Sequence, residues 1–225
     1  MLIVLEGLDG AGKSTQLKMV TSYLESKGKK VKYLHFPRYD APIYGELISK
    51  FLRGDFGTID NVHPQLVALL FAEDRRDAAL TIRKWIEDGY CVVLDRYVYS
   101  NIAFQCSKLK TKEESDYLRD WIFELEYVKY NIPKPDLNIF LDVPISFVDA
   151  KLKQSREGDD NRDYLEGKSD IHEADIKFQI GVRELYMQQC ELDSDFIRVP
   201  CGDKDGKMLP AEEIFARIEE KLNNL

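Results

Sequence analysis

Gly7, Gly10, Gly12, Lys13 and Ser14 concentrate the chemistry of this sequence. From Gly7 to Ser14 the chain reads G-x-x-x-x-G-K-S, after the apolar run Leu2-Ile3-Val4-Leu5 and before a helical pattern that begins at Gln16. Glycines let successive backbone N–H groups converge on phosphate oxygens, a nest that bulkier residues would block. The positive end of the following helix adds to the same field. Lys13 brings a point charge toward the β- and γ-phosphates, and the Ser14 hydroxyl can ligate Mg²⁺. In this strand–loop–helix context, Gly7, Asp9, Gly10, Ala11, Gly12, Lys13, Ser14 and Thr15 read as a nucleoside triphosphate site.

A second constellation follows another apolar run. Cys91-Val92-Val93-Leu94 leads into Asp95-Arg96-Tyr97. An acidic residue at the carboxyl end of such a strand lies where open α/β sheets bind ligands. Asp95 can hold a water of a Mg²⁺ shell or orient an arginine, and Arg96 can fork onto phosphates. Two further segments are ambiguous on their own. Phe71-Ala72-Glu73-Asp74-Arg75-Arg76 is a charged patch in an otherwise apolar helix, which alone reads as surface salt bridging. Gln154 to Ser169 is nearly devoid of apolar residues and reads either as a solvated loop or as a mobile lid carrying Arg156 and Arg162.

The elements that position these groups are readable from periodicity. Helix one is expected over Lys13 to Lys27, stopped by Gly28, with a second strand from Val31 to Phe36. A short helix over Ile43 to Arg53 precedes a long one over Pro64 to Asp88, whose Leu66, Leu69, Leu70, Leu80, Trp85 and Ile86 suit a buried stripe. Lys108 to Ser115 reads as an exposed loop before a helix bearing Leu118, Trp121, Ile122 and Leu125. Leu137 to Leu141 is a fourth strand, a helix starts near Val148, and Phe178, Val182 and Leu185 mark an amphipathic helix. A strand, Phe196 to Val199, and a capping helix with Ile214, Ile218 and Leu222 complete the chain. Strands alternating with helices predict an α/β fold with an open, five-stranded parallel sheet covered on both faces.

Composition narrows the function class. A length of 225 residues suits one domain, 1–225. No apolar run approaches the ~20 residues that span a bilayer, and the first strand begins without a basic region or cleavage site, so no membrane partner and no signal peptide are expected. Cytoplasmic residence follows as the default. The net charge of −8 argues against nucleic acid as partner, whereas a small polyanion needs only a few cations in a cleft. Cys91, Cys106, Cys190 and Cys201 lack metal-ligand spacing, and Cys91 reads as a core residue. His35, His63 and His172 are scattered and read as structural.

Phosphate loops serve switches, motors and kinases alike. No Asn-Lys-x-Asp run is present, and Leu94-Asp95-Arg96 lacks the acidic pair of assembly ATPases. A long helical insertion (about 37–89) suits an acceptor pocket, and a polar lid (about 154–173) follows the fourth strand, so the layout is that of a small-molecule kinase with a P-loop fold.

The chain resembles the thymidylate kinase (dTMP kinase) family from end to end. The matching stretches are Glu6 to Thr15, Phe36-Pro37-Arg38-Tyr39, Phe71 to Arg75, Asp95 through Ser100-Asn101 to Phe104-Gln105, and Pro135-Asp136-Leu137. The resemblance implies transfer of the ATP γ-phosphate to dTMP, with Mg²⁺, in a homodimer. It implies that Phe71 stacks on thymine, that Arg75 bonds the base at O4, and that Asn101 touches the base edge. Asp9 would sit near the 3′-hydroxyl and Phe104 would crowd the place of a 2′-hydroxyl. Arg38 or Tyr39 would hold the acceptor phosphate with Arg96, and Phe36, Pro37, Ser100 and Gln105 would line the acceptor site. Ser14 and Asp95 would serve the metal. Where some members carry an arginine directly after the loop aspartate, this chain has Gly10, so the resemblance is to members whose lid supplies that cation, here Arg156 or Arg162. Asp170-Ile171-His172-Glu173 extends the lid beyond its relatives. Two other functions remain at this stage: a deoxynucleoside kinase using Glu6 as base, and a nucleotide-dependent switch.

Overall fold

The computed structural model describes residues 1–59, 61–154, 163–168, 170–172 and 175–225. Five strands, β1 (Leu2–Gly7), β2 (Val31–His35), β3 (Cys91–Asp95), β4 (Leu137–Asp142) and β5 (Phe196–Pro200), form one sheet in the order β2-β3-β1-β4-β5. Every pairing is parallel. The three central strands are buried along their whole length, as a sheet covered on both faces requires.

The helices are α1 (Lys13–Ser26), α2 (Tyr44–Leu52), α3 (Pro64–Glu87), α4 (Val98–Cys106), α5 (Lys112–Phe123), α6 (Ile145–Gln154), α7 (Ile176–Leu192) and α8 (Ala211–Leu222). The strand order reverses around β1, with β3 on one side and β4 on the other. That crevice at the carboxyl ends is where open sheets of this kind bind ligands. The register pairs Leu5 with Asp95, so the loop after β1 and the turn after β3 emerge side by side.

A main core fills both faces of the sheet. A smaller one, Ile48, Phe51, Leu52 and Val67, joins α2 to α3, with Tyr39, Tyr164 and Ile171 packed against it. Full burial of each such aliphatic side chain contributes about 1.5–3 kcal/mol. The small core ties the insertion between β2 and β3 to the segment that follows α6.

Three local expectations change. The buried face of α3 departs in part from the expected stripe: Leu70, Trp85 and Ile86 pack half-buried against the two cores, but Leu66 and Leu80 are 62% and 78% exposed, while Ala68, Ala72, Arg75, Ala79 and Ile82 face inward. Alanines at helical spacing let α4 approach closely, and this displaced the larger residues to the outer face. Lys112 to Ser115 is helical, not loop, because Thr111 and Glu114 form a reciprocal capping box at the start of α5. After Phe123 the helix widens into a π-helical turn, Glu124–Lys129, which carries Glu126 into the interior. Ser155 to Arg162, with both lid arginines, lie outside the described residues.

Candidate active site

Left-handed backbone at Gly10 (φ 70°) and Gly12 (φ 76°) shapes the loop between β1 and α1. A side chain at Gly10 would also meet the Lys151 Cβ of α6 at 3.0 Å, so an arginine at this position would strain the backbone and crowd α6. Gly12 starts α1 without a side-chain cap, which leaves the first-turn amides to face an anion. Thr15 and Ser14 begin that helix, and both are exposed. Lys13 folds back over the loop, its Nζ donating to the carbonyl oxygens of Leu8 (3.0 Å) and Gly7 (3.4 Å). Burial, joined by the Arg96 charge, lowers its pKa; Asp95, Asp9 and Glu6 oppose that shift.

Arg96 adopts φ 66°, a conformation that costs a non-glycine residue energy and aims the guanidinium back across β1. Its Nη2 donates to Asp9 Oδ1 (2.5 Å), its Nη1 to Ser100 Oγ (3.1 Å), and its Cζ lies 4.9 Å from the Phe104 ring centre. Burial works against its charge, but Asp9, Tyr186, Asp95 and Glu6 hold its pKa above the ordinary value. Burial likewise opposes ionisation of Asp9, yet Arg96 and Lys13 hold its pKa below the ordinary value.

Glu6 is wholly buried beneath this pair. It accepts from the amides of Tyr97 (2.9 Å) and Ser100 (3.1 Å), from the Tyr186 hydroxyl (3.2 Å), and from the Ser100 hydroxyl. Burial raises its pKa in spite of these donors. Glu6 therefore caps α4 and does not line the cavity, which removes the candidate base of a deoxynucleoside kinase.

A cavity opens beside Arg96. Asp9, Phe36, Pro37, Tyr39, Phe71 and Arg75 line it from the loop and the insertion. From α4 and its turn come Arg96, Ser100, Asn101, Phe104 and Gln105. Arg38 does not reach it: its guanidinium bonds Asp74 (2.8 Å) and Asp77 (2.6 Å). Of the two candidates for the acceptor phosphate, the cavity thus receives Tyr39, whose ring stacks on Tyr164 at 3.8 Å.

Arg75 is held by a partner that sequence reasoning missed. Its Nε and Nη2 donate to Glu126 Oε2 (2.5 Å) and Oε1 (2.7 Å), both side chains being buried. Glu126 Oε1 also accepts from Asn101 Nδ2 (3.0 Å), which reaches Ala68 O as well (3.0 Å). Both donors of that amide are thereby used, and Asn101 Oδ1 is left buried without a partner among the described residues. Other residues missed from the sequence are Gln179, whose Nε2 bonds Asp9 Oδ2 (3.0 Å), and Tyr164, Asp170 and His172 on the cavity wall. Of the three histidines, His63 caps α3, whereas His172 faces the cavity.

Asp95 ends β3, buried, with Oδ1 unpartnered among the described residues. Among the described residues no three His, Cys, Asp or Glu side chains cluster as a metal cage. Mg²⁺ would not require such a cage, because that ion keeps several of its waters and is bound through few protein ligands together with substrate phosphates. Ser14 and the orphan Asp95 oxygen fit that donor set. Among the described residues no helix is long and apolar enough to cross a membrane.

A family model described as thymidylate kinase matches residues 5–204. The chain is 29% identical over 188 residues to the thymidylate kinase of Mycobacterium tuberculosis, covering 84% of this chain and 85% of that protein. It is 35% identical over 187 residues to a probable thymidylate kinase of Pyrobaculum aerophilum, covering 82% and 80%. The solved thymidylate kinase of Candida albicans superposes with a TM-score of 0.70 at 25% identity, over 99% of this chain and 91% of that one. With the glycine-rich loop and the cavity meeting at Arg96, the chain belongs to the thymidylate kinase family, and its reaction is the ATP-dependent phosphorylation of dTMP to dTDP.

Proposed function

We propose that dTMP occupies the cavity with its base between Phe71, Arg75 and Asn101, and its phosphate toward Arg96, Tyr39 and Lys13. One observation carries this: the unpartnered Asn101 Oδ1 beside the Arg75 guanidinium. A guanidinium only donates and a carbonyl oxygen only accepts. Thymine offers O4 as acceptor and N3–H as donor, which satisfies both. Cytosine presents an amine and a bare N3, which satisfies neither and leaves buried groups unpaired.

ATP lies on the loop from Gly7 to Thr15. Mg²⁺, when bound, neutralises developing charge on the phosphates; Ser14 and Asp95 would hold it, Asp95 through water. Lys13 leaves its loop carbonyls for the phosphates, and Arg96 is held on line by Asp9 and Ser100. The acceptor phosphate is already anionic, so the protein positions two polyanions and excludes water without supplying a nucleophile. Arg156 and Arg162 remain the candidates for one further cation, supported by the strain and crowding that a side chain at Gly10 would meet.

The chain acts as one domain, 1–225, with an acceptor-binding insertion (37–89) and a lid (154–173); both regions contribute walls to the cavity, through Phe71 and Tyr164 among others. Exposed Leu66 and Leu80 on one face of α3 support a homodimer through that face. Four free cysteines support a reducing, cytoplasmic setting. The test is a coupled ADP-release assay with dTMP, dCMP, AMP and GMP as acceptors. A marked dTMP preference is expected; equal rates with dTMP and dCMP would overturn the base-reading assignment.

A further inference from the structure

His172 belongs to the segment that extends the lid, yet its backbone is tied down on both sides. Its N–H donates to Asp170 Oδ1 (2.7 Å), its carbonyl accepts from Gln179 Nε2 (2.8 Å), and the preceding Ile171 N–H donates to Leu52 O (2.9 Å). The ring stacks on Phe178 (5.4 Å, 29°), tilts against Phe104 (5.3 Å) and meets Phe51 edge-on (5.5 Å). These contacts are apolar and fix its orientation. The side chain is 6% exposed, and Nε2 has no hydrogen-bond partner among the described residues. Burial, with Lys108 and Arg96 nearby, keeps the ring neutral. A buried, unpaired ring nitrogen on a cavity wall is costly unless a ligand atom meets it.

His172 lines the cavity, and the residues around it indicate which ligand atom. The Gln179 amide that holds the His172 carbonyl also bonds Asp9, so His172 and Asp9 flank one stretch of the cavity. With the base at Arg75 and Asn101 and the phosphate at Arg96, this stretch faces the sugar. Phe104, the aromatic neighbour of His172 that lines the cavity, offers that stretch only hydrocarbon. The single hydroxyl of a 2′-deoxy sugar can donate one hydrogen bond and accept another. We infer that His172 Nε2–H donates to the 3′-hydroxyl oxygen of dTMP while that hydroxyl donates to Asp9, which makes His172 a specificity residue for the acceptor sugar. This inference rests on the cavity being the dTMP site.

The experiment compares wild type, His172→Phe and His172→Gln with dTMP and with 3′-deoxythymidine 5′-monophosphate as acceptors. His172→Phe keeps the ring packing and is expected to raise the KM for dTMP about tenfold, the effect of one hydrogen bond, with kcat within about twofold. His172→Gln restores most of that loss, and neither change alters the KM for the 3′-deoxy acceptor. Equal losses on both acceptors, or no loss on dTMP, would overturn the inference. As a check independent of either variant, the ¹⁵N-labelled His172 Nε2–H signal of the wild type is expected to become protected from exchange with dTMP but not with the 3′-deoxy analogue. The same protection with both would equally overturn it. Failure of the dTMP site itself would be seen separately, as an Arg75→Ala variant with unchanged dTMP kinetics.

Discussion

Replacing Glu126 by Gln removes a charge from the bidentate pair that anchors Arg75. The two contacts are 2.5 and 2.7 Å long, and the side chains are 2% and 0% exposed, so no solvent can compensate the orphaned guanidinium. Breaking a buried pair from one side costs about 3–5 kcal/mol. Gln retains one oxygen for Arg75 but turns an amine toward the other donor, so a loss of about 3 kcal/mol is expected. In a chain of this size each kcal/mol lowers the midpoint by roughly 2–4 °C, giving a fall of about 6–12 °C in a thermal melt. The KM for dTMP rises in parallel, because the base-reading donor has lost its support. The double variant Arg75→Met, Glu126→Leu separates the two effects. With no charge left to bury, it returns to within about 1 kcal/mol of wild-type stability, yet it does not recover dTMP affinity. Wild-type melting of Glu126→Gln, or a double variant as unstable as the single one, would refute this account of the pair.

Lys13→Ala is expected to lower kcat by about 10²–10⁴ while calorimetry still detects dTMP binding, since the cation serves the transferring phosphoryl group and not the acceptor's base. Burial places both His35 and His172 below the ordinary 6.5, so the unfolded chain takes up a proton first as pH falls. The stability they contribute is complete above pH 6.5 and is lost as pH falls from there through each folded-state pKa. Relative to its own value at pH 7.5, the melting midpoint of His172→Phe should therefore fall less than that of wild type at pH 5. Leu80→Glu, at a position 78% exposed, should leave the monomer fold intact and shift sedimentation from dimer to monomer.

The phosphate loop and the sheet were legible because both are local patterns: an apolar run, glycines at fixed offsets, and a lysine followed by a hydroxyl. The residues that the matched motifs assign to the acceptor, all but Arg38, line one cavity. What the sequence hid was the assignment of partners. Glu126 lies 51 positions from Arg75, in a π-helical turn where helical periodicity gives no inward face. The resemblance offers Arg38 or Tyr39 as the phosphate ligand, but two carboxylates of α3 claim Arg38. Much of the inward face of α3 is written in alanines, which carry little periodic signal, while Leu66 and Leu80 point outward. His172 looked structural because nothing in its neighbours' types indicates that Leu52 and Gln179 pin it against Phe104.

The most direct test is a crystal structure with dTMP and a non-hydrolysable ATP analogue bound together. Thymine O4 should lie within about 3.2 Å of the Arg75 guanidinium and N3 at a similar distance from Asn101 Oδ1, with the 5′-phosphate between Arg96 and the γ-phosphate at Lys13. A dTMP molecule seated elsewhere, or one whose base points away from Arg75 and Asn101, would contradict the account.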